Sequence, residues 1–202
     1  LADYGGGSGC GGLFLSEPGF PHHWGRALYT CDWGTGTIYR HPMSPEGATF
    51  KAEQDVFAKV TRVTDLDVDG SSALYVASWR NGKFAYSDED VGFLIRAVPS
   101  GYKPPPLPDF EKLSSSELIA LLKDNSHRRR QESQRTLVRK GIDETTAAAL
   151  IGLIRDEQAQ LESRVAAIYC LSLSQGEKSL DSLIELAPIP KVQEYVLRSI
   201  SD

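Results

Sequence analysis

The stretch ALYTCDWGTG, residues 27–36, returns as ALYVASWRNG at residues 73–82. Ala-Leu-Tyr, a tryptophan and a glycine fall at the same offsets in both, 46 positions apart from Ala27 to Ala73. Alternation of apolar and small polar residues ending at a tryptophan is a strand pattern. Working outward, further short runs read as strands: GLFLS at 12–16, TIYRHPM at 37–43, TFKAEQDVFA at 49–58, VTDLDV at 63–68, KFAYS at 83–87 and GFLIRAV at 92–98. Turn residues separate them, among them Asp69-Gly70, Asn81-Gly82 and Ser44-Pro45-Glu46-Gly47,. About four strands repeating every ~45 residues are the signature of a β-propeller blade. Each blade buries its faces against the next, which is why one strand would be written twice. Propellers close with about four to eight blades. The β part is therefore expected to hold two four-stranded antiparallel blades, the last of a larger ring whose others precede residue 1. A small β-sandwich is the alternative, and the repeat argues against it.

The composition changes near residue 100. VPSGYKPPPLPDF, from Val98 to Phe110, carries five prolines between Pro99 and Pro108. Proline fixes φ and lacks an N–H, so the stretch reads as an extended connector. Long helical patterns follow. LIALLKD at 118–124 is echoed by LIGLIRD at 150–156, 32 residues on, and more weakly by LIEL from Leu183. Each copy precedes a second helical run, at 127–141, 160–173 and 190–200. Ser114-Ser115-Ser116 offers an N-cap, and Gly141 and Gly176 stand where helices should stop,. Two helices per repeat predict stacked helical hairpins, with Leu118, Leu121, Leu150, Leu153, Ile168 and Leu183 in one core. An Asp closing the first helix, with Arg or Val-Ala on the second, looks like short HEAT repeats. The domains are thus 1–98, a proline linker at 99–113 and helical repeats at 114–202.

Bulk properties narrow the function. The 202 residues carry a net charge of −5, which implies no general attraction to nucleic acid or anionic membrane. No run approaches the ~20 apolar residues of a membrane span. The opening LADYGGGSGCGG has no start methionine and no signal-peptide pattern, and reads as part of a longer chain. The three cysteines, Cys10, Cys31 and Cys170, form no C-x-x-C,. Cys10 and Cys31 could pair in an oxidising compartment, or Cys31 is a small buried strand residue and Cys10 a loop thiol. The one basic concentration is His127, Arg128, Arg129 and Arg130 with Arg135, Arg139 and Lys140. It is either a docking surface or a solvated helix paired with Asp124, Glu132 and Asp143. DLDVDG at 65–70 mimics the start of a calcium loop, but Val76 stands where the closing acid belongs,. It reads as a strand ending in a turn, and no metal site is expected.

GFPHHWGRALYTCDWGTGTIYRHPMSPEGATFKAE, from Gly19 to Glu53, resembles late blades of glucose/sorbosone-dehydrogenase-like propellers. It is similar in particular to the large membrane-bound dehydrogenase-type proteins of planctomycetes. There a propeller is followed by HEAT repeats and a c-type haem domain, and the same order runs through nearly the whole chain. The resemblance implies an exported, periplasmic or extracytoplasmic oxidoreductase for a sugar or alcohol, linked to pyrroloquinoline quinone or c-type haem. It also implies that this chain is not catalytic alone: the family's catalytic histidine lies in an early blade and the haem domain would lie beyond Asp202. In quinone-dependent relatives late blades supply basic residues to the cofactor carboxylates. Arg62 keeps one such position, while Thr64 and Gly34 stand where two others would be basic.

The residues expected at the propeller tunnel, as substrate or cofactor contacts, are Arg62, His22, His23, Arg26, Asp32 and Asp65. Arg62 brings a fixed positive charge, suited to a carboxylate. It could instead pair with Asp65 and tie two blades together. His22 and His23 would contact substrate or simply order the Phe20-Pro21 turn. A non-catalytic propeller–HEAT scaffold that binds a protein or glycan partner is the alternative function.

Overall fold

The computed structural model describes residues 7–21, 23–47, 49–80 and 91–201. The chain divides into two compact units, Leu1–Pro106 and Leu107–Asp202.

The first unit is built of antiparallel sheets. Strands β1 (Gly9–Leu15), β2 (Ala27–Asp32), β3 (Thr37–His41) and β6 (Asp55–Lys59) form a four-stranded sheet in that order. Between β3 and β6 the chain makes a separate hairpin of β4 (Met43–Glu46) and β5 (Thr49–Ala52). Pro42 cannot donate to a ladder, so the run expected at 37–43 ends at His41. The run expected at 49–58 likewise splits at Glu53-Gln54 into one strand of the hairpin and one of the sheet.

The second sheet has the order β7 (Asp65–Val68), β8 (Leu74–Trp79), β9 (Gly92–Ala97). β9 pairs directly with β8, Trp79 opposite Gly92 and Leu74 opposite Ala97. The run expected at 83–87 lies outside the described residues, so three strands rather than four are seen in this sheet.

The sheets pack face to face around one core of Leu13, Leu15, Tyr29, Cys31, Ile38, Leu66, Val68, Leu74 and Val76, among others. In β2 Ala27, Tyr29 and Cys31 are buried on one face and Leu28 and Thr30 half-buried on the other, with Asp32 buried at the strand end. In β8 the parity is reversed: Leu74, Val76 and Ser78 are buried, and Tyr75 and Ala77 are half-buried. The repeated strand thus offers opposite faces to the shared core. The edge strands β1 and β7 meet closely. A Cβ on Gly11, whose φ is +53°, would lie 2.6 Å from Asp65 Oδ1 and 2.8 Å from its Cα. Only glycine allows this approach.

Among the described residues the second unit holds six α-helices: α1 (Ser115–Leu121), α2 (His127–Lys140), α3 (Glu144–Arg155), α4 (Leu161–Gln175), α5 (Leu180–Leu186) and α6 (Gln193–Ser201). Sequence explains their ends. Ser114 closes a capping box with Glu117, Ser126 caps α2 and Asp143 caps α3,. Gly141 and Gly176 follow α2 and α4 with φ of +73° and +55°,. Helices pack as the pairs α1/α2, α3/α4 and α5/α6. First helices touch first helices (α1 on α3, α3 on α5), and second helices touch second helices (α2 on α4, α4 on α6). Leu118, Leu150, Leu153, Ile168 and Leu183 share one core. Leu121 does not join it; Leu122, fully buried, does.

Two buried arginines knit the pairs. Arg164, 1% exposed, donates from Nε to the Ile154 carbonyl at 2.7 Å. Arg130 donates to the Asp124 carbonyl at 2.7 Å. Each guanidinium, carried by the second helix of a pair, binds a backbone carbonyl at or just past the end of the first, where helix carbonyls lack partners. The basic concentration on α2 is accordingly spent within the unit. Arg139 pairs with Glu111 and Glu132, Arg135 faces Glu132, and Lys140 donates to the Leu113 carbonyl. Among the described residues no helix is long and apolar enough to cross a membrane.

Candidate binding rim

Antiparallel pairing fixes which loops share an end of the β unit. Gly9 lies opposite Asp32, Asp32 opposite Thr37 and Thr37 opposite Lys59. The β2–β3 turn (33–36) and the β6–β7 connection (60–64) therefore leave from the same end. β8 finishes there too, with Trp79. The β1–β2 connection (16–26) leaves from the other end, where Leu15 lies opposite Ala27.

This divides the six expected site residues. Asp32, Arg62 and Asp65 come together at the first end. His23 and Arg26 sit at the opposite end, both exposed. His23 leans on Trp24, ring centroids 4.6 Å apart, and the Arg26 N–H closes the β1–β2 connection on the Leu15 carbonyl at 2.7 Å. His22 lies outside the described residues.

At the first end Trp33 and Trp79, equivalent in the sequence repeat, meet edge to face with centroids 6.1 Å apart. Arg62 lies over Trp33, its Cζ 4.2 Å from the ring centroid,. Its Nη1 donates to the carbonyls of Trp33 at 3.4 Å and Gly34 at 3.3 Å. Arg62 does not pair with Asp65, whose Oδ1 instead accepts from the Leu66 N–H at 2.8 Å. The Arg62 backbone is held at a φ of +49°, uncommon for a residue with a Cβ. Two open depressions flank it. One, about 410 Å³, is lined by Trp33 to Gly36, Lys59 and Thr61 with Arg62. The other, about 450 Å³, is lined by Thr61, Trp79, Arg80 and Phe93, again with Arg62. Thr61 and Arg62 form the wall they share.

Asp32 is fully buried and serves the turn. Its Oδ1 accepts from the N–H groups of Thr35 at 2.8 Å and Ser8 at 3.2 Å. Thr64, where a second base was sought, gives both its N–H and its hydroxyl to the Ala77 carbonyl, at 2.9 and 3.0 Å. Gly34 has little room for any side chain: a Cβ there would stand 3.1 Å from Ser8 N and 3.3 Å from Asp32 Oδ1. The DLDVDG segment is β7 followed by a turn in which Asp69 accepts from Ser71 and Ala73 N–H groups.

Sequence reasoning did not single out Lys59 or Arg80. Lys59 closes β6, three residues before Arg62, and Arg80 occupies the repeat position of Gly34. That alignment was the available signal. Among the described residues Lys59, Arg62 and Arg80 make no salt bridge; Lys59 donates to the Thr37 hydroxyl at 2.6 Å. Three cations and two tryptophans around open depressions can bind an anionic ring or chain by charge and stacking. No cluster of three or more His, Cys, Asp or Glu side chains suited to a metal occurs among the described residues. No family profile matches the chain, and neither the curated proteins nor the solved structures give a match.

Proposed function

We propose that the β unit is two adjoining blades of a β-propeller and the helical unit a short HEAT-like stack. Together they form part of an exported, extracytoplasmic sugar- or alcohol-dehydrogenase-like protein that binds ligand at the rim around Arg62. The chain supplies recognition, and quinone- or haem-linked redox chemistry belongs to other parts of the same protein. The observation that carries the reading is the reversed burial of β2 and β8. When like sheets stack in series, each offers one face forward and the other back, as these two do. Helix packing of first on first and second on second supports the HEAT-like assignment in the same manner.

At the rim, Arg62 with Lys59 and Arg80 suits a carboxylated ligand, and the tryptophans suit a flat ring or a sugar face. A quinone bearing carboxylates fits this donor set; it would supply the electron-accepting ring, and these residues would only hold it. Calorimetric titration with pyrroloquinoline quinone, gluconate and glucose tests the rim. Binding of a carboxylated ligand that weakens at least tenfold in Arg62→Ala, with the protein still folded, is the expected result. Unchanged binding by Arg62→Ala, or no binding of any of the three, defeats it.

A scaffold reading is favoured by one observation: Arg62 is already engaged with Trp33 and Gly34, and Thr64 with Ala77. In that reading these residues hold two sheets together, and the partner is an acidic protein or glycan surface. Arg62→Ala would then lower the melting temperature by several degrees and leave ligand binding in the surviving folded protein intact.

A further inference from the structure

Cys10 and Cys31 are partners across the β1–β2 ladder, the last pair before its register shifts between Cys10 and Gly12. The Trp33 N–H bonds the Ser8 carbonyl at 2.9 Å, and the register carries from that pair through Gly9 and Asp32 to Cys10 and Cys31. Opposed residues two steps along from such a pair repeat its hydrogen-bonded type, with Cα atoms about 5.5 Å apart. That is the commonest separation in disulfides, whose Cα atoms stand roughly 4.4–6.8 Å apart. Both thiols turn to the same face: Cys31 is in the core and Cys10 packs against it. Both are free thiols in this structure, and Cys10 Sγ donates to the Val63 carbonyl at 3.2 Å.

We propose that Cys10 and Cys31 are a cross-strand redox pair, which closes to a disulfide in the folded chain when it meets a small-molecule disulfide oxidant. The inference does not depend on the rim or on the propeller reading.

Exposure sets the order of events. Cys10 is half-buried at the sheet end, and Cys31 is fully buried. The Cys10 thiol loses its proton to solvent, and its sulfur attacks one sulfur of the oxidant. The oxidant's S–S bond breaks and one small thiolate leaves. The Cys31 thiol then loses its proton, its sulfur attacks the Cys10 sulfur of the mixed disulfide, and the second small thiolate leaves. Two protein thiols are oxidised and one disulfide is reduced to two thiols. Burial pushes both thiols up, Cys31 to about 12, so both steps accelerate as pH rises. Cys10 gives up the Val63 carbonyl in turning toward Cys31. The bond would fasten β1, a glycine-rich edge strand, to the centre of its sheet.

Cys170, fully buried in the helical unit, is the internal control. The full chain is held folded with oxidised glutathione, alkylated in denaturant, and analysed by intact mass and peptide mapping. The expected product has lost two hydrogens, carries one alkyl group on Cys170 and yields a Cys10–Cys31 linked peptide. Its unfolding midpoint in denaturant rises over the reduced form. Cys10→Ser forms no internal disulfide and shows no such rise. Three alkylated cysteines after oxidation, a lasting glutathione adduct on Cys10 without closure, or a bond to Cys170 would each overturn the proposal.

Discussion

Tyr29 and Tyr75 occupy the same place in the repeated Ala-Leu-Tyr, yet they point to opposite sides of the stacked sheets. Tyr29 is fully buried in the shared core and donates to the Trp24 carbonyl at 2.5 Å, with Phe57 edge-on at 5.0 Å. Tyr75 is half-buried on the far side, donating to Asp69 and accepting from Arg96 at 3.1 Å each. One repeated letter therefore carries two different energetic roles.

Tyr29→Phe should destabilise the β unit by about 1 kcal/mol, the net value of one buried hydrogen bond. Tyr75→Phe should cost less, because solvent replaces its partners. Denaturant midpoints followed by tryptophan fluorescence measure both. Burial also pushes the Tyr29 hydroxyl up to about 12, and the Cys31 and Cys170 thiols likewise to about 12. The unfolded chain releases these protons at their ordinary values of 10.0 and 9.0. Stability from these groups is complete below pH ~9 and declines steadily toward pH ~12. Tyr29→Phe should flatten the upper part of that decline.

In the helical unit, Arg164→Ala should cost about 3 kcal/mol. It leaves the Ile154 carbonyl without its donor and opens a void in the core. Arg164→Lys should recover little, since the forked guanidinium is replaced by a single charged donor. Arg130→Ala should cost less, because Arg130 is nearer the surface. Urea unfolding followed by circular dichroism ranks the three.

The helix starts should loosen in acid before the helix interiors do. The Ser114 hydroxyl and N–H hold the Glu117 carboxyl below its ordinary range, and Thr146 does the same for Asp143. A depressed folded value means the contribution is present at neutral pH and is lost as pH falls through it. Amide protection in the first turns of α1 and α3, corrected for the intrinsic pH dependence of exchange, should fall as the pH drops below the ordinary carboxylate range. Glu117→Gln and Asp143→Asn should blunt that response. Protection that stays constant over that pH range in the wild type would refute it.

Both outward faces of the sheet stack carry apolar side chains in water: Phe14 and Val56 on the first sheet, Leu94 on the second, 48%, 56% and 73% exposed. Such faces favour association. Sedimentation should show mass rising with concentration. The double change Phe14→Asp, Leu94→Asp should return the chain to monomer without lowering its melting temperature by more than a few degrees.

Much of this arrangement could be read from the sequence, for physical reasons that also mark the limit. Ser114, Gly141 and Gly176 act through local backbone chemistry, so the helix ends were legible. The 46-residue repeat placed β2 and β8. It could not say which face of each turns inward, because identical strands choose faces by what stacks on them. The direct pairing of β9 with β8 is a cross-strand partnership that sequence spacing does not encode. At the rim Arg62 was visible as a charge; its seat on Trp33 depends on a φ of +49° that no composition reveals. Arg164 reads as a surface residue in any helical pattern and is buried only because a neighbouring helix ends beside it.

The β4–β5 hairpin stands apart from the main ladder. Glu53 N–H bonds the Pro42 carbonyl at 3.0 Å, so the two ends of the excursion meet, and β3 pairs with β6 beside it with one register shift, between Ile38 and Tyr39. A segment that leaves and returns at one point can be exchanged without disturbing its neighbours. Residues 43–52 are thus a natural port on this protein: a fluorophore tag, an epitope or a short linker installed there would report on the sheet while leaving both the tryptophan end and the cysteine ladder untouched.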